Sequence, residues 1–421
     1  MKKVVVLGAG NMGAYIASNL AEEFDVTIID HNDEALENFT NKNISKRRGD
    51  LSKPGTVMSV VRDFDFVISA LPEAFGYEAL IAVIKTGKNV VDISFWEQSK
   101  DRFAEIDRLA KENQVSAFID CGIAPGFGSA VLAYFDNNLE GKTKNVKIYV
   151  GGIPKERSRG FFAPWSIEGL IEEYQREALY VKDGVPEKIP ALSVREELDL
   201  PGVGTLEAAI TDGLRSIAFN LDNIPDMAEF TLRYPGHFDQ MNLLREIGFF
   251  DAEELDVGVQ SITACGLSKI LLQNQEDEKR TYDPVLKELG FFDEVTQYPC
   301  SKNHIIRREV AVSVLSKKWA MRSDDRDILI LRISADDGET GYTADVYAEH
   351  DGTNSAMAIT TGGMAALAAR AIISGKFEDI GVFPLENVIK AEPGLISYFI
   401  EGMQNLGVQV KIFDSPQGTH G

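Results

Sequence analysis

The order of segments in this chain predicts an α/β fold: a doubly wound parallel sheet followed by a second domain with a mixed, largely antiparallel sheet. Three observations carry that prediction. Short β-rich runs alternate with helical segments through the first 120 residues. A glycine-rich turn, Gly8-Ala9-Gly10-Asn11-Met12-Gly13, stands between the first run and the first helix. From about residue 127 the alternation gives way to turns, charged segments and mixed patterns that continue to about residue 350. Alternating strands and helices imply a parallel sheet, because parallel strands need crossover connections and the crossing helices cover both faces.

The β-rich runs of the first part read "KVVVL", "DVTIID", "DFVISAL", "KNVVDIS" and "VSAFID". Between them lie segments such as "DRFAEIDRLAKEN", where Phe103, Ile106 and Leu109 share one helical face. "NVKIYVGGI" then reads as a strand of the second domain. Helix character returns in "AMAITTGGMAALAARAIISGK", whose small residues favour close packing against the first domain. The expected division is a dinucleotide-binding domain over 1–126, a substrate and dimerisation domain over 127–355, and a C-terminal segment over 356–421 that returns to the first. "LLREIGFFDAEEL" (243–255) is echoed by "VLKELGFFDEVTQ" (285–297). Two copies are too few for a solenoid, so the echo is either a local duplication or a reused helix-end motif with glycine after an apolar turn. The tail "SPQGTHG" reads as disordered.

Composition narrows the class. Among 421 residues, 44% are apolar and 26% charged, and the formal charge is −22. A phosphate backbone is repelled overall, which excludes nucleic acid as an expected partner while leaving room for a local cationic site. Cys121, Cys265 and Cys300 are an odd number, far apart, and suit a reducing cytoplasm rather than a disulfide framework. His31, His237, His304, His350 and His420 are scattered, and no metal site is expected. The apolar run at the start breaks at Gly8, too early for an export signal, and "GGMAALAARAII" is too short to span a bilayer. A soluble cytoplasmic protein is expected.

The glycine turn carries the first chemistry. Gly8 permits the tight turn, Gly10 leaves room for a pyrophosphate, and Gly13 lets strand and helix pack closely with the helix N-terminus facing the phosphates. Asn11 and Met12 count with it as cofactor residues. "VTIID" ends a second strand in Asp30, 22 residues after Gly8. That carboxylate is placed to accept both ribose hydroxyls and to repel a 2′-phosphate, so NAD is favoured over NADP. This is the fingerprint of a Rossmann domain. Asp50 after "KRRG", Ala70, Leu71 and Pro72 after "DFVIS", and Asp92 and Ser94 after "NVV" stand at later strand ends. Each is equally compatible with ordinary loop chemistry, and together they outline a cofactor groove.

Six stretches, "FIDCGIAPGFGS" (118–129), "IYVGGIP" (148–154), "PWSIEGLIEEY" (164–174), "GTLEAAITDG" (204–213), "LRYPGH" (232–237) and "GVFPLE" (381–386), occur in order along the chain. In this series the sequence resembles the saccharopine reductase and lysine 6-dehydrogenase family, from Met1 to about residue 390. It is most similar to lysine 6-dehydrogenase, with its D-x-G-[VI]-A-P-G loop. Saccharopine reductases typically carry Asp where Ala124 stands, and the segment over about 250–295 with the "GFFD" echo is longer than the family pattern. The resemblance implies a second domain for substrate and dimer contacts, hence a homodimer or higher homo-oligomer. It also implies pyridine-nucleotide oxidation of a carbon bearing an amine, on lysine or a lysine-derived amino acid.

For that reaction an ammonium must lose a proton before hydride can leave, which requires a carboxylate or imidazole within reach. Asp120, at the end of the fifth run, is the first candidate; a loop-fixing Asp is the alternative. The substrate's α-carboxylate needs a fixed cation, and Arg233 in "EFTLRYPGHFDQ" suits it, with Tyr234 and His237 adding hydrogen bonds. A plain structural turn at Pro235-Gly236 is the alternative. Arg215 is a second candidate cation or else a surface arginine. Trp165 and Ser166 line a pocket floor, or are simply core. Two other functions compete: a saccharopine-type or carboxyspermidine-type reductase, and a catalytically silent protein that binds NAD.

Overall fold

The computed structural model describes residues 1–39, 41–163, 165–272, 279–292 and 296–414. The tail "SPQGTHG", with its expected disorder, lies outside the described residues. Among the described residues no helix is long and apolar enough to cross a membrane.

Seven parallel strands form the first sheet, in the spatial order Gly381–Pro384, Ser116–Ile119, Val90–Asp92, Phe66–Ser69, Lys3–Leu7, Asp25–Asp30, Ser45–Arg48. Val4, Val5, Val6 and Leu7 are all fully buried, as a strand covered on both faces must be. The chain order reverses at Lys3–Leu7, which lies between the second and fourth strands in sequence. This is the switch point beyond which open α/β sheets bind ligands, and the glycine turn sits there.

The second sheet has nine strands. Its path runs Arg195–Leu200, Gly204–Ile210, Asp226–Arg233, Asn145–Pro154, Asp327–Asp336, Gly341–Glu349, Gln409–Asp414, with the hairpin Ala178–Lys182 and Val185–Ile189 attached to Asp226–Arg233. Asp226–Arg233 pairs in parallel with Asn145–Pro154, and the remaining pairings are antiparallel. The fold class expected from the sequence is the one observed. One apolar core joins the two sheets: Val4, Ile16 and Phe118 of the first share it with Leu329, Leu331 and Val346 of the second, through the helix Phe127–Asn138.

Small residues let the C-terminal segment close onto the first domain. A Cβ on Gly362 would lie 2.8 Å from the Tyr15 ring and 3.4 Å from the Met12 carbonyl oxygen. The helix Gly363–Ile373 follows, and Gly381–Pro384 completes the first sheet beside Ser116–Ile119. The chain then leaves again, because Gln409–Asp414 pairs with Gly341–Glu349 of the second sheet.

A separate core gathers around Phe238, Phe249, Phe250 and Phe291, all fully buried, and is built largely from residues 237–319. Here the echo has a physical meaning. Gly248 (φ +85°) and Gly290 (φ +89°) each end a helix in the left-handed conformation. The Phe249 and Phe291 N–H groups donate to the Leu244 and Leu286 carbonyls, each at 2.9 Å. Both copies are therefore the same helix-end cap, and the Phe249 and Phe291 rings meet at 4.4 Å.

Candidate active site

The glycine turn is shaped as its residues require. A Cβ on Gly8 would lie 2.5 Å from the Ala70 carbonyl oxygen, and one on Gly13 would lie 2.0 Å from the Gly8 oxygen. At Gly10 nothing stands within 4 Å of that position. Strand, turn and helix are thus locked together while the second glycine faces open space, which is the cradle a dinucleotide pyrophosphate fits. Asn11 and Met12 open the helix Asn11–Leu20. Ala70, Leu71 and Pro72 back the turn: the Ala70 N–H donates to the Leu7 carbonyl at 2.9 Å, and Pro72 caps the helix Glu73–Ile84.

Asp30 accepts the Ala9 N–H at 2.7 Å and the Asn32 N–H at 2.8 Å, with His31 Nδ1 at 3.2 Å. These bonds fix the carboxylate beside the turn. Arg48 stands opposite it on the neighbouring strand, 3.2 Å from Asp33. Asp50 lies in an exposed turn, where it accepts from Ser52 and Lys53.

At the carboxyl edge of the sheet the charges are buried. Asp120, with φ of 52°, follows the strand Ser116–Ile119 and is 4% exposed. Gln98 Nε2 donates to its Oδ2 at 2.6 Å, and Arg215 Nε stands 3.5 Å from its Oδ1. Arg215 is 3% exposed, so it is no surface residue: its guanidinium lies 3.6 Å from the Phe95 ring centroid and donates to the Trp96 carbonyl at 2.6 Å. Yet Asp120 Oδ1, Arg215 Nε and Gln98 Oε1 are buried without completing a hydrogen bond. Buried polar atoms left unmatched are costly, which sets this edge apart.

Asp92 and Ser94 are also buried, beneath this edge rather than on an open groove wall. Ser94 Oγ donates to Asp92 Oδ1 at 2.7 Å and Trp96 Nε1 to Oδ2 at 3.3 Å. Burial pushes the Asp92 carboxyl up to about 7, with Asp120 adding to the rise against the Ser94 and Ser69 hydroxyls. Burial likewise pushes the Cys121 thiol up, which leaves it a poor nucleophile.

The second domain contributes a second cluster. Arg233, 1% exposed, lies 5.4 Å from the Trp165 ring, 5.5 Å from Phe161 and 5.8 Å from Tyr174. Its Nε donates to Tyr174 Oη at 2.9 Å and Nη1 to the Leu232 carbonyl at 2.8 Å, while Nη2 faces Glu173 at 3.6 Å. His237 Nε2 meets the same Tyr174 hydroxyl at 3.0 Å. Burial, and then the Arg233 charge, hold its imidazole well below the usual histidine range, so it is neutral. Behind this cluster, Thr231 donates to Glu173 at 2.5 Å, and Thr211 donates to Glu229 at 2.7 Å. Burial pushes the Glu229 carboxyl up to about 8.

Two predicted residues lie apart. The Tyr234 hydroxyl donates to the Pro154 carbonyl at 3.0 Å, and Ser166 Oγ accepts the Gly169 N–H at 3.2 Å as the cap of the helix Ile167–Gln175. The other residues predicted for the substrate side, Asp120, Arg215, Trp165, Arg233 and His237, fall into the two clusters, and a segment not anticipated connects them. A Cβ on Gly152 would lie 2.7 Å from Met357 Cε and 3.1 Å from Trp165 Cζ3, and one on Gly122 would lie 3.4 Å from Thr361 Cγ2. Met357 and Thr361 therefore run from the Arg233 box to the loop after Asp120. Arg176 adds a tie between domains, 2.5 Å from Glu73 and 5.2 Å from the Phe95 ring centroid. Sequence reasoning missed Gln98, Glu173, Tyr174, Arg176 and Met357; Glu173 and Tyr174 end a quoted motif, "IEGLIEEY", but nothing in it points to Arg233.

The saccharopine dehydrogenase C-terminal domain matches residues 122–408, and the saccharopine dehydrogenase NADP binding domain matches residues 4–117. The chain belongs to the saccharopine dehydrogenase family. Members of this family are NAD(P)-dependent amino-acid oxidoreductases acting at a CH–NH group, and so is this protein. It is 22% identical to the NADP(+), L-glutamate-forming saccharopine dehydrogenase of Saccharomyces cerevisiae over 428 aligned positions, 90% of this chain and 93% of that protein. It is 22% identical to the carboxyaminopropylagmatine dehydrogenase of Synechocystis sp. over 295 positions, 65% of this chain and 72% of that protein. The apo structure of the Saccharomyces cerevisiae saccharopine dehydrogenase superposes with a TM-score of 0.77 at 17% identity, covering 99% of this chain and all of that one.

Proposed function

We propose that this family member oxidises the carbon bearing the side-chain amine of lysine, or of a lysine-derived amino acid, with NAD as acceptor, and that the imine is hydrolysed to a semialdehyde and ammonia. The observation that carries the reading is the buried Asp120–Arg215 pair at the carboxyl edge of the nucleotide sheet, with one unmatched atom on each partner. A bound nicotinamide supplies the hydride acceptor. Asp120 takes the proton from the substrate ammonium: one N–H bond breaks, one O–H bond forms, and the free lone pair lets hydride leave. Arg215 and Gln98 hold the carboxylate in place. Arg233, oriented by Tyr174 and Leu232, offers its Nη2 edge to the α-carboxylate, and Trp165 with Met357 shields the space between from water.

Ala124, at the position where saccharopine reductases typically carry Asp, supports the primary-amine reading. NAD is supported by Asp30, anchored where a 2′-phosphate would meet its charge. The second reading is a reductase joining an amine to an aldehyde through a secondary amine, with NADP. The Saccharomyces cerevisiae relative, which carries NADP(+) in its name, and Arg48 beside Asp30 favour it. Homo-oligomer formation and a cytoplasmic location belong to the same reading.

Purified protein supplied with NAD and L-lysine, or with NADP and saccharopine, separates the readings by absorbance of the reduced nicotinamide. Turnover with lysine and NAD supports the first; turnover with saccharopine alone replaces it with the second; binding without turnover of either refutes both. Asp30→Ser should move the cofactor preference toward NADP by about tenfold, roughly 1.4 kcal/mol. An unmoved ratio would remove Asp30 from cofactor selection.

A further inference from the structure

The motif "GVFPLE" ends in a residue that the reaction above does not use. Gly381–Pro384 pairs in parallel with Ser116–Ile119, Pro384 opposite Ile119. Two residues further on, in the first turn of the helix Leu385–Ala391, Glu386 lies near the Asp120-Cys121 segment that follows the neighbouring strand. Asp92 ends the strand on the other side, Val90–Asp92. Three carboxyls thus stand in a row at the edge of the sheet, one ending a strand, one just past a strand and one opening a helix.

Their surroundings differ. Arg215 pairs with Asp120. Glu386 is fully buried; its Oε1 accepts Asn220 Nδ2 at 2.8 Å, Ser216 faces it, and its Oε2 completes no hydrogen bond. Lys390, the cation on its own helix, turns to the Asn220 carbonyl at 2.7 Å. The groups facing Glu386 are therefore Asp120, the Cys121 thiol and two neutral side chains. Among the described residues no three His, Cys, Asp or Glu side chains converge as metal ligands, so the row is no cation cage.

We propose that Glu386 is a positioning residue that holds its proton beside Asp120, so that Asp120 alone carries the negative charge facing Arg215. The inference rests on the reading of Asp120 as the proton acceptor. Two neighbouring buried carboxyls resist ionising together, and the Arg215 guanidinium stands with Asp120. Burial raises the Glu386 carboxyl against the pull of the Ser216 and Asn220 hydrogen bonds, and the Asp120 charge adds a smaller push in the same direction as burial.

The test uses the full-length protein with Glu386→Gln, which keeps the shape and neutrality of the protonated acid. A raised carboxyl contributes stability that is present below its unfolded value, about 4.3, and is lost as pH rises toward its folded value. The melting temperature of E386Q should therefore gain on the natural protein by about 2 °C or more between pH 5 and pH 8. A gap that stays constant, or closes, means that Glu386 is ionised in the fold and overturns the proposal. With Asp120→Asn as background the gain should level off at a lower pH and end smaller, since the neighbouring charge that raised Glu386 is gone; a gain of unchanged size and range also overturns it. In turnover, E386Q should lose one ionisation step from the pH profile of kcat. A profile of unchanged shape, merely scaled, makes Glu386 structural. The melting experiments stand even if lysine and NAD give no turnover, so failure of this inference is separable from failure of the proposed function.

Discussion

Arg215 and Arg233 are both buried arginines against aromatic rings, 3% and 1% exposed, and their hydrogen bonds set them apart. Arg233 is anchored at Nε by Tyr174 and at Nη1 by Leu232. Arg215 is anchored at Nη2 by Trp96, but its Nε is unmatched and turned toward an equally unmatched Asp120 oxygen. Under the proposed function, the third edge of Arg233, 3.6 Å from Glu173, is the one that meets the substrate carboxylate, and the half-satisfied Asp120 beside Arg215 is the group that takes the proton. Burial and residue type are the same in both regions; the completeness of the hydrogen bonding is what differs.

Lysine substitutions sharpen this contrast most strongly, because lysine keeps the charge and loses the planar fork. Arg215→Lys should lower kcat about a hundredfold with KM little changed, since the positioned charge beside Asp120 matters in the transition state. Arg233→Lys should raise KM for the amino acid about tenfold, roughly 1.4 kcal/mol, with kcat held. Steady-state kinetics on both proteins decide the matter, and an exchange of these two patterns would reverse the roles assigned here.

A smaller effect concerns stability. Glu229 stays protonated in the fold up to about pH 8, whereas an unfolded glutamate ionises near pH 4.3. Its contribution is therefore present at low pH and lost as pH rises through that window. Glu229→Gln should raise the melting temperature by about 2 °C more at pH 8 than at pH 5. His237 acts in the opposite sense. Neutral in the fold, it costs stability as pH falls below the unfolded value near 6.5, so His237→Gln should soften the decline of the melting curve between pH 7 and pH 5.

The sequence made the nucleotide half legible because its signals are local. Gly8, Gly10, Gly13 and Asp30 act through turns and adjacent strands a few residues long, and their geometry follows from chain chemistry alone. Asp120 was visible for the same reason, standing at a strand end in a glycine-rich loop. The substrate half was legible only in outline. Arg233 and His237 could be picked by residue type, but their common partner Tyr174 stands 59 residues before Arg233, on a helix from another motif. Tyr234, adjacent to Arg233, was grouped with it, yet successive residues of a strand face opposite ways and it bonds elsewhere. Ser166 reads as a pocket residue in isolation and as a helix cap once Gly169 is seen to donate to it. Glu386 lay in a quoted motif, but its neighbour Asp120 is reached only through a strand pairing that links the two ends of the chain.

The most direct measurement is the steady-state rate of Asp120→Asn with L-lysine and NAD, taken beside its circular dichroism spectrum. The account predicts an unchanged spectrum, a near-normal KM and a kcat reduced at least about a hundredfold, the scale of a lost general base. A folded Asp120→Asn protein that turns over lysine at the natural rate would contradict it.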